Sequence, residues 1–225
     1  MNAVLCRRTR VGAIVLFAVF LPVSLAAQAS SGGAPPTPAQ ADEHRVLDTV
    51  EFLAGAALGL GMHEGGHLIF DAVFNARPRI EGVHFGPVPF FAIAHRSGLS
   101  PRREFTISSA GFWVQEASSE WLLTTRPVLR REHAPVAKGL LAFNVLNSVG
   151  YAFVAFARAG PSERDTRGMA ASIGLDERAI GAVVLVPALL DAYRYFRPDA
   201  RWAKWGARSA KVASILLVLK QRRLP

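Results

Sequence analysis

Three side chains capable of metal binding and acid–base chemistry, His63, Glu64 and His67, stand in the segment HEGGH, inside the apolar run 59–70. On an α-helix, residues i and i+4 share a face one turn apart, so both imidazoles can bind one metal ion. A zinc ion bound in this way acidifies a water molecule, and Glu64 is next in sequence to accept its proton. The spacing therefore predicts His63 and His67 as zinc ligands and Glu64 as the catalytic base.

The apolar surroundings of these residues support a functional interpretation. Ionisable groups inside a membrane-type helix are energetically costly, so their presence indicates a functional site by default. The alternative is a polar cluster that closes contacts between helices through hydrogen bonds.

The chain resembles the site-2-protease class of intramembrane zinc metalloproteases over about residues 46–170. HEGGH matches the HExGH motif of that class, and VHFGP (Val83 to Pro87) is similar to its G-F-G-P-type turn. SSAGFWVQ (Ser108 to Gln115) is similar to the A-G-P-x-x-N element. It keeps Ala110 and Gly111, whereas phenylalanine stands in place of proline and glutamine in place of asparagine.

The resemblance implies a third zinc ligand, an aspartate in an L-D-G motif on a later helix. The nearest match is Asp165 in SERDTRG. Here Arg164 replaces the leucine, and two additional residues separate Asp165 from Gly168. A catalytic zinc needs three protein ligands, and Asp165 is our prediction for the third. The alternative is that Asp165 caps a helix beginning at RGMAAS.

Other polar residues compete for a place at the site. Glu116 is the alternative third ligand, and with Glu120 it could instead face a polar cavity or pair with Arg126. Asn144 and Asn147 are interpreted either as contacts to the substrate backbone or oxyanion, or as contacts between helices.

Asp71 lies four residues after His67 and is predicted to accept a hydrogen bond from its imidazole. His84 and His95 flank an apolar segment and could stabilise an oxyanion, but they are left outside the predicted site. His44 and His133 lie in predicted loops and are assigned no catalytic role.

The apolar blocks predict a mainly α, polytopic membrane bundle of about 4–6 helices, with Gly55 and Gly59 on a close-packing face. Gly, Pro, β-branched and aromatic residues in RIEGVHFGPVPFFAIAH predict a short strand-like or re-entrant segment, expected beside the active site. The blocks run from about Val46 to Phe74, Phe105 to Thr124, Ala137 to Ala157, Ala179 to Phe196 and Ser209 to Leu219.

The N-terminal residues 1–29 resemble an export signal, with an uncleaved anchor as the alternative, and Ala27-Gln28-Ala29 is the predicted cleavage site. Residues 30–41 are predicted to be a disordered Pro/Gly/Ser linker, and residues 42–225 the membrane-embedded metalloprotease-like domain. The single cysteine, Cys6, lies in the signal, which excludes a cysteine-based zinc site from the domain. These features predict a multi-pass protein of a bacterial-type inner membrane with an exported N-terminus.

The net charge of +9 is carried by short groups of arginine between apolar blocks, a pattern typical of loops facing lipid headgroups. The sequence has no basic patch interleaved with aromatic residues and no fold signature of nucleic-acid binding. The expected partners are the lipid bilayer and a membrane-spanning or membrane-associated peptide. The predicted function is zinc-dependent intramembrane endopeptidase. The alternative is a non-proteolytic metal-binding or structural polytopic membrane protein, and a soluble peptidase fits the long apolar blocks less well.

Overall fold

The long helix that carries the HEGGH segment packs in a mainly helical bundle. The computed structural model describes residues 38–85 and 88–220, and within them it contains six α-helices and one two-stranded sheet. The helices are α1 (Pro38–Val73), α2 (Pro101–Thr125), α3 (Pro135–Ala157), α4 (Asp165–Ile173), α5 (Glu177–Phe196) and α6 (Arg201–Leu216). The strands are β1 (Arg79–Phe85) and β2 (Val88–Ala94), and short 3-10 helices cover Leu129–Arg131 and Leu217–Leu219.

Each predicted apolar block lies mostly within one helix, so the mainly α prediction is confirmed. The short helix α4 is not among the predicted apolar blocks, because it lacks a long apolar run. The sequence suggested it only through the alternative in which Asp165 caps a helix. Helix α1 begins at Pro38, inside the range predicted to be linker. The predicted export signal lies outside the described residues.

Glycines allow α1 and α3 to pack with their backbones in close contact, which confirms the predicted role of Gly55 and Gly59. A β-carbon on Gly55 would collide with the carbonyl of Val136, and one on Gly59 with the ring of Phe143. Because positions 55 and 59 of α1 meet positions 136 and 143 of α3, the two helices run parallel.

Helix α2 runs antiparallel to α1 and is largely buried between α1 and the later helices. Gly66 of α1 lies so close to α2 that a β-carbon there would approach the carbonyl oxygen of Ala110 to 2.8 Å. Helix α5 runs antiparallel to α3, and Gly181 near its start packs on Ala155 near the end of α3.

The bundle therefore has two ends. The hairpin end contains the C-terminal ends of α1 and α3 and the N-terminal ends of α2 and α5. The opposite end contains the start of α3 and the C-terminal ends of α2 and α5.

The predicted strand-like segment is an antiparallel hairpin, with a register from Arg79↔Ala94 to Phe85↔Val88. Gly86 and Pro87, the end of the predicted turn motif, lie outside the described residues. The hairpin meets the helices at its base, where the Arg96 N–H donates to the Ala76 carbonyl at 2.9 Å. Ile80 on β1 is 78% exposed, whereas His95 at the end of the segment contacts Asp71 at the end of α1, so in its described part only the base of the segment packs near the metal-binding helix.

Three helices in the described part of the chain are long and apolar enough to cross a membrane, as judged by length and composition. They are Asp42–Val73 within α1, Pro135–Ala157 and Glu177–Phe196. Large apolar side chains such as Leu146 and Phe153 lie exposed on α3. Such a surface is unusual for a protein that meets only water.

Candidate metal centre

His63, His67 and Asp165 come together between α1 and the start of α4. The Nε2 atoms of the two histidines are 3.3 Å apart, and Asp165 Oδ2 lies 3.2 Å from His63 Nε2 and 3.4 Å from His67 Nε2. Both histidines are buried and Asp165 is largely buried. This cluster is able to hold a metal ion.

The hydrogen bonds of the two Nδ1 atoms explain why a cation fits between the two imidazole rings. His67 Nδ1 lies 2.7 Å from the Ile107 carbonyl, which can only accept, so Nδ1 carries the proton. His63 Nδ1 lies 3.0 Å from Gln115 Oε1 and donates in the same way. In the neutral rings both Nε2 atoms are then bare and face a carboxylate, an arrangement that a shared cation stabilises.

The three observed separations also match the requirements of zinc. Ligand atoms in a tetrahedral site with bonds of about 2.0–2.1 Å lie roughly 3.3 Å apart. Two imidazoles and one carboxylate are a donor set that suits zinc and leaves a fourth position open.

Helix α2 is shaped to receive His63. A β-carbon on Gly111 would lie between 2.5 and 2.7 Å from three atoms of the His63 imidazole, closer than real side chains pack. The ring of Phe112 meets the same imidazole edge-on, with the centroids 5.5 Å apart. The Ala110-Gly111 pair therefore allows α1 and α2 to approach closely and leaves space for the imidazole.

Asp165 is the first residue of α4, and Arg164 occupies the N-cap position, so the alternative in which Asp165 caps this helix is wrong. Arg164 forms a two-pronged ion pair with Glu177 of α5, at 2.7 and 2.6 Å. Thr166 donates to the same carboxylate at 2.8 Å. These contacts hold the start of α4 on α5. Burial alone would raise the pKa of the Asp165 carboxyl, but the His67 and His63 imidazoles, when protonated on Nε2, hold it well below its usual range.

Glu64 is half-buried on α1, within electrostatic range of His63, His67 and Asp165. The structure thus brings all four residues of the predicted site into one neighbourhood.

Three contributors were not predicted: the Ile107 carbonyl, the Gln115 amide and Tyr151, whose ring centroid lies 6.0 Å from that of His63. A backbone carbonyl leaves no signal in the sequence. Tyr151, however, completes a polar stripe on the apolar helix α3 at spacing i, i+3, i+4 and i+7. The stripe consists of Asn144, Asn147, Ser148 and Tyr151.

The predicted role of Asp71 is wrong. His67 has no nitrogen left for it, because Nδ1 faces Ile107 and Nε2 faces the metal-binding cluster. Asp71 is fully buried, and its oxygens form no hydrogen bond within the described residues. Its nearest charged neighbour is His95, whose Nδ1 lies 3.8 Å from Asp71 Oδ1.

The alternative third ligand, Glu116, lies away from the cluster and accepts a hydrogen bond from Ser214 of α6 at 2.8 Å. Burial raises the pKa of its carboxyl to about 8. The suggested pairing with Arg126 is also wrong, because Arg126 contacts Glu132 at 3.6 Å.

Glu120 belongs instead to an ion-pair network that joins α2, α5 and α6. Although burial works against it, hydrogen bonds from Arg194 and Arg208, reinforced by Lys211, hold the pKa of Glu120 well below its usual range. Lys211 also contacts Asp191 at 2.7 Å.

The two asparagines act as contacts between helices. Asn144 Nδ2 donates to Ser118 at 2.8 Å and to Ser119 at 2.9 Å, and Asn147 Nδ2 donates to Gln115 Oε1 at 3.3 Å. Asn147 thereby supports the amide that orients His63.

The remaining histidines are not part of the cluster. His84 is exposed on β1, and His44 is exposed on α1 rather than in a loop. His133 pairs with Asp48 at 2.9 Å. His95 hydrogen-bonds Glu104 at 2.9 Å.

Comparison of the chain with protein-family models, with curated proteins and with solved structures finds no match.

Proposed function

We propose that the protein is a zinc-dependent endopeptidase of the site-2-protease type that hydrolyses peptide bonds of membrane-associated substrates. The observation that carries this proposal is the cluster of His63, His67 and Asp165, with Glu64 beside it on the same helix. The HExxH spacing supplies two ligands and a base, and the donor set fits zinc.

The proposed location is a multi-pass position in a bacterial-type inner membrane. The three apolar helices α1, α3 and α5 would cross the bilayer and shield the more polar helix α2 from lipid. This arrangement would place the metal-binding residues away from bulk water, with Asp165 supplied from α4 at the hairpin end.

In the proposed reaction, His63 Nε2, His67 Nε2 and an Asp165 oxygen would hold zinc. When bound, zinc would supply Lewis acidity, which lowers the pKa of an attacking water and polarises a substrate carbonyl. The Glu64 carboxylate takes the proton from that water and later delivers it to the nitrogen of the leaving amine. Gln115 and Ile107 would keep the imidazole protons on Nδ1. The substrate would bind in an extended conformation along an outer edge of the hairpin, as an added strand.

Elemental analysis of the detergent-purified protein tests the metal site. We expect about one zinc per chain in the wild type, and strong loss in both His67→Ala and Asp165→Ala. Glu116→Ala is the matched control, because its side chain faces α6, and it should retain zinc. If Asp165→Ala retained stoichiometric zinc, the assignment of Asp165 as a ligand would be refuted. If the wild type held no metal, the proposal of a zinc-dependent peptidase would be refuted.

Cleavage of membrane-spanning peptides in detergent or vesicles then tests the activity. Glu64→Gln should retain zinc and lose cleavage, because the amide cannot accept the proton from water. Stoichiometric zinc with no cleavage by the wild type of any peptide in such a panel would favour the non-proteolytic metal-binding alternative.

A further inference from the structure

A pocket of about 490 Å³ opens towards the opposite end of the bundle, between the third and fourth turns of α1 and the start of α3. It is separate from the metal centre, because Asp48 precedes His63 by about 22 Å along the helix axis. The residues that line it include Asp48, Thr49, Phe52, Arg131, His133 and Lys138.

Two basic side chains that line the pocket, Arg131 and Lys138, have no acidic partner among the described residues, whereas the two acidic ones are paired. Asp48 is paired with His133, and Glu132, which also lines the pocket, lies 3.6 Å from Arg126. Arg131 and Lys138 form no ion pair with an acidic residue in the described ranges 38–85 and 88–220. Two cations are therefore free to bind an anion.

The position of the pocket relates it to a lipid headgroup. Asp48 and Lys138 stand near the starts of two parallel helices that are long and apolar enough to cross a membrane. If these helices span the bilayer, residues near their ends lie at headgroup depth. Phe52 is 38% exposed in the pocket wall, and its neighbour Leu53 is exposed on the same apolar helix.

We propose that this pocket binds an anionic phospholipid, with the phosphate held by Arg131 and Lys138 and the glycerol end against Phe52. This binding site rests on the membrane-spanning part of the proposed function and is independent of the metal centre. Basic pockets between membrane helices are an established chemical solution for acidic headgroups.

Lipid titration of the full-length protein in detergent, read by native mass spectrometry, tests the proposal. Phosphatidylglycerol should bind more tightly than phosphatidylcholine, and the double variant Arg131→Ala/Lys138→Ala should lower its affinity about 25-fold, at about fivefold per cation. Inorganic phosphate, added as a competitor, should not displace the lipid at comparable concentration, because it lacks the apolar contacts.

The matched control is Arg45→Ala/Arg130→Ala, which removes the same charge from the same end of the bundle. Arg45 lies 3.8 Å from Asp42 and Arg130 lies over the Phe196 ring, and neither lines the pocket. The control should retain wild-type affinity. Equal losses in both double variants, equal binding of the two lipids, or displacement by inorganic phosphate would each overturn the proposal.

Zinc content, measured on the same samples, separates the two proposals. A variant that retains wild-type zinc but loses lipid is folded and lacks only the lipid site. A wild type that prefers phosphatidylglycerol but holds no zinc would refute the peptidase and leave the lipid site intact.

Discussion

At the scale of single residues, the hydrogen bond between His63 and Gln115 decides which imidazole nitrogen is available to a metal. Gln115 Oε1 accepts from both His63 Nδ1 and Asn147 Nδ2, so the side chain presents its oxygen rather than its nitrogen to the imidazole. A reversed amide would offer an N–H to Nδ1 and move the ring proton to Nε2, where it would block metal binding.

Replacing Gln115 by leucine should lower the zinc affinity by about 10- to 100-fold, because the imidazole loses the partner that fixes its proton and orientation. Competition with a chelator of known affinity measures this change. The neighbouring substitution Glu116→Gln is the control, since that side chain points to Ser214, and it should leave the affinity unchanged. Equal affinity in Gln115→Leu and wild type would show that Gln115 does not orient His63.

Gly111→Ala should also weaken zinc binding, by about tenfold or more, while the protein still folds. The added methyl group would lie 2.5–2.7 Å from the His63 ring, so the ring must move away from the position it shares with His67. Gly61→Ala on α1 meets no atom within 4 Å and is the control. Zinc titration with circular dichroism separates a displaced ligand from a failure to fold.

The cluster of ionisable residues could be predicted from the sequence, but the hydrogen bonds around it could not. An i, i+4 pair on a helix fixes its own geometry, which is why His63 and His67 are recognisable from spacing alone. The same spacing placed Asp71 near His67. It could not reveal that a carbonyl of α2 had already taken Nδ1, because tertiary contacts decide that.

At the scale of elements, His95 ties the base of the hairpin to two helices. Its Nε2 bonds to Glu104 at the start of α2, and its Nδ1 faces the buried Asp71 at the end of α1. The hydrogen bond to Glu104 raises the pKa of His95, burial partly offsets this, and the charges of Glu104 and Asp71 add to the rise. Protonated His95 therefore stabilises the hairpin base.

This predicts a pH-dependent hairpin. In the unfolded chain the pKa of histidine is about 6.5, and in the fold that of His95 is higher. The stabilisation is thus complete below about pH 6.5 and is lost as the pH rises through the folded value. Hydrogen exchange of residues 79–85 and 88–96, corrected for the intrinsic rate, should accelerate over this range.

Two variants test the assignment to this side chain. His95→Gln removes the charge and should abolish the pH dependence, whereas His84→Gln, an exposed histidine on the same hairpin, should preserve it. The same pH profile in wild type and His95→Gln would assign the effect to another group.

The helices that carry long apolar runs are predictable from the sequence, and the shorter or more polar elements are less so. Helix α3 matches its predicted block within two residues at its start and ends at the same residue. Helix α4 is short, and contacts such as the Arg164–Glu177 ion pair hold it in place, a stabilisation that no local pattern displays. Gly and Pro in the segment after α1 predicted a break from helix, and the antiparallel pairing is consistent with that.

At the scale of the whole molecule, the directions of the helices determine which residues would lie on the same side of the bilayer in the proposed spanning arrangement. Helices α1 and α3 run parallel and α5 runs antiparallel to both, so the hairpin end and the opposite end would face different compartments. Arginines are exposed at both ends, which is why the distribution of positive charge does not select an orientation. The predicted export signal does select one, because it places the start of α1 outside.

Cysteine labelling in intact cells tests this orientation, in a Cys6→Ser background that removes the single native cysteine. Thr125 and Asp199 are exposed at the opposite end of the bundle. Cysteines introduced by Thr125→Cys and Asp199→Cys should therefore react with a membrane-impermeant maleimide in intact cells. Ser97→Cys and Ser162→Cys are exposed at the hairpin end and should react only after permeabilisation. The reverse pattern would refute the exported N-terminus but keep the spanning bundle, because the two ends would still be separated. Labelling of all four positions in intact cells would refute the membrane-spanning arrangement itself.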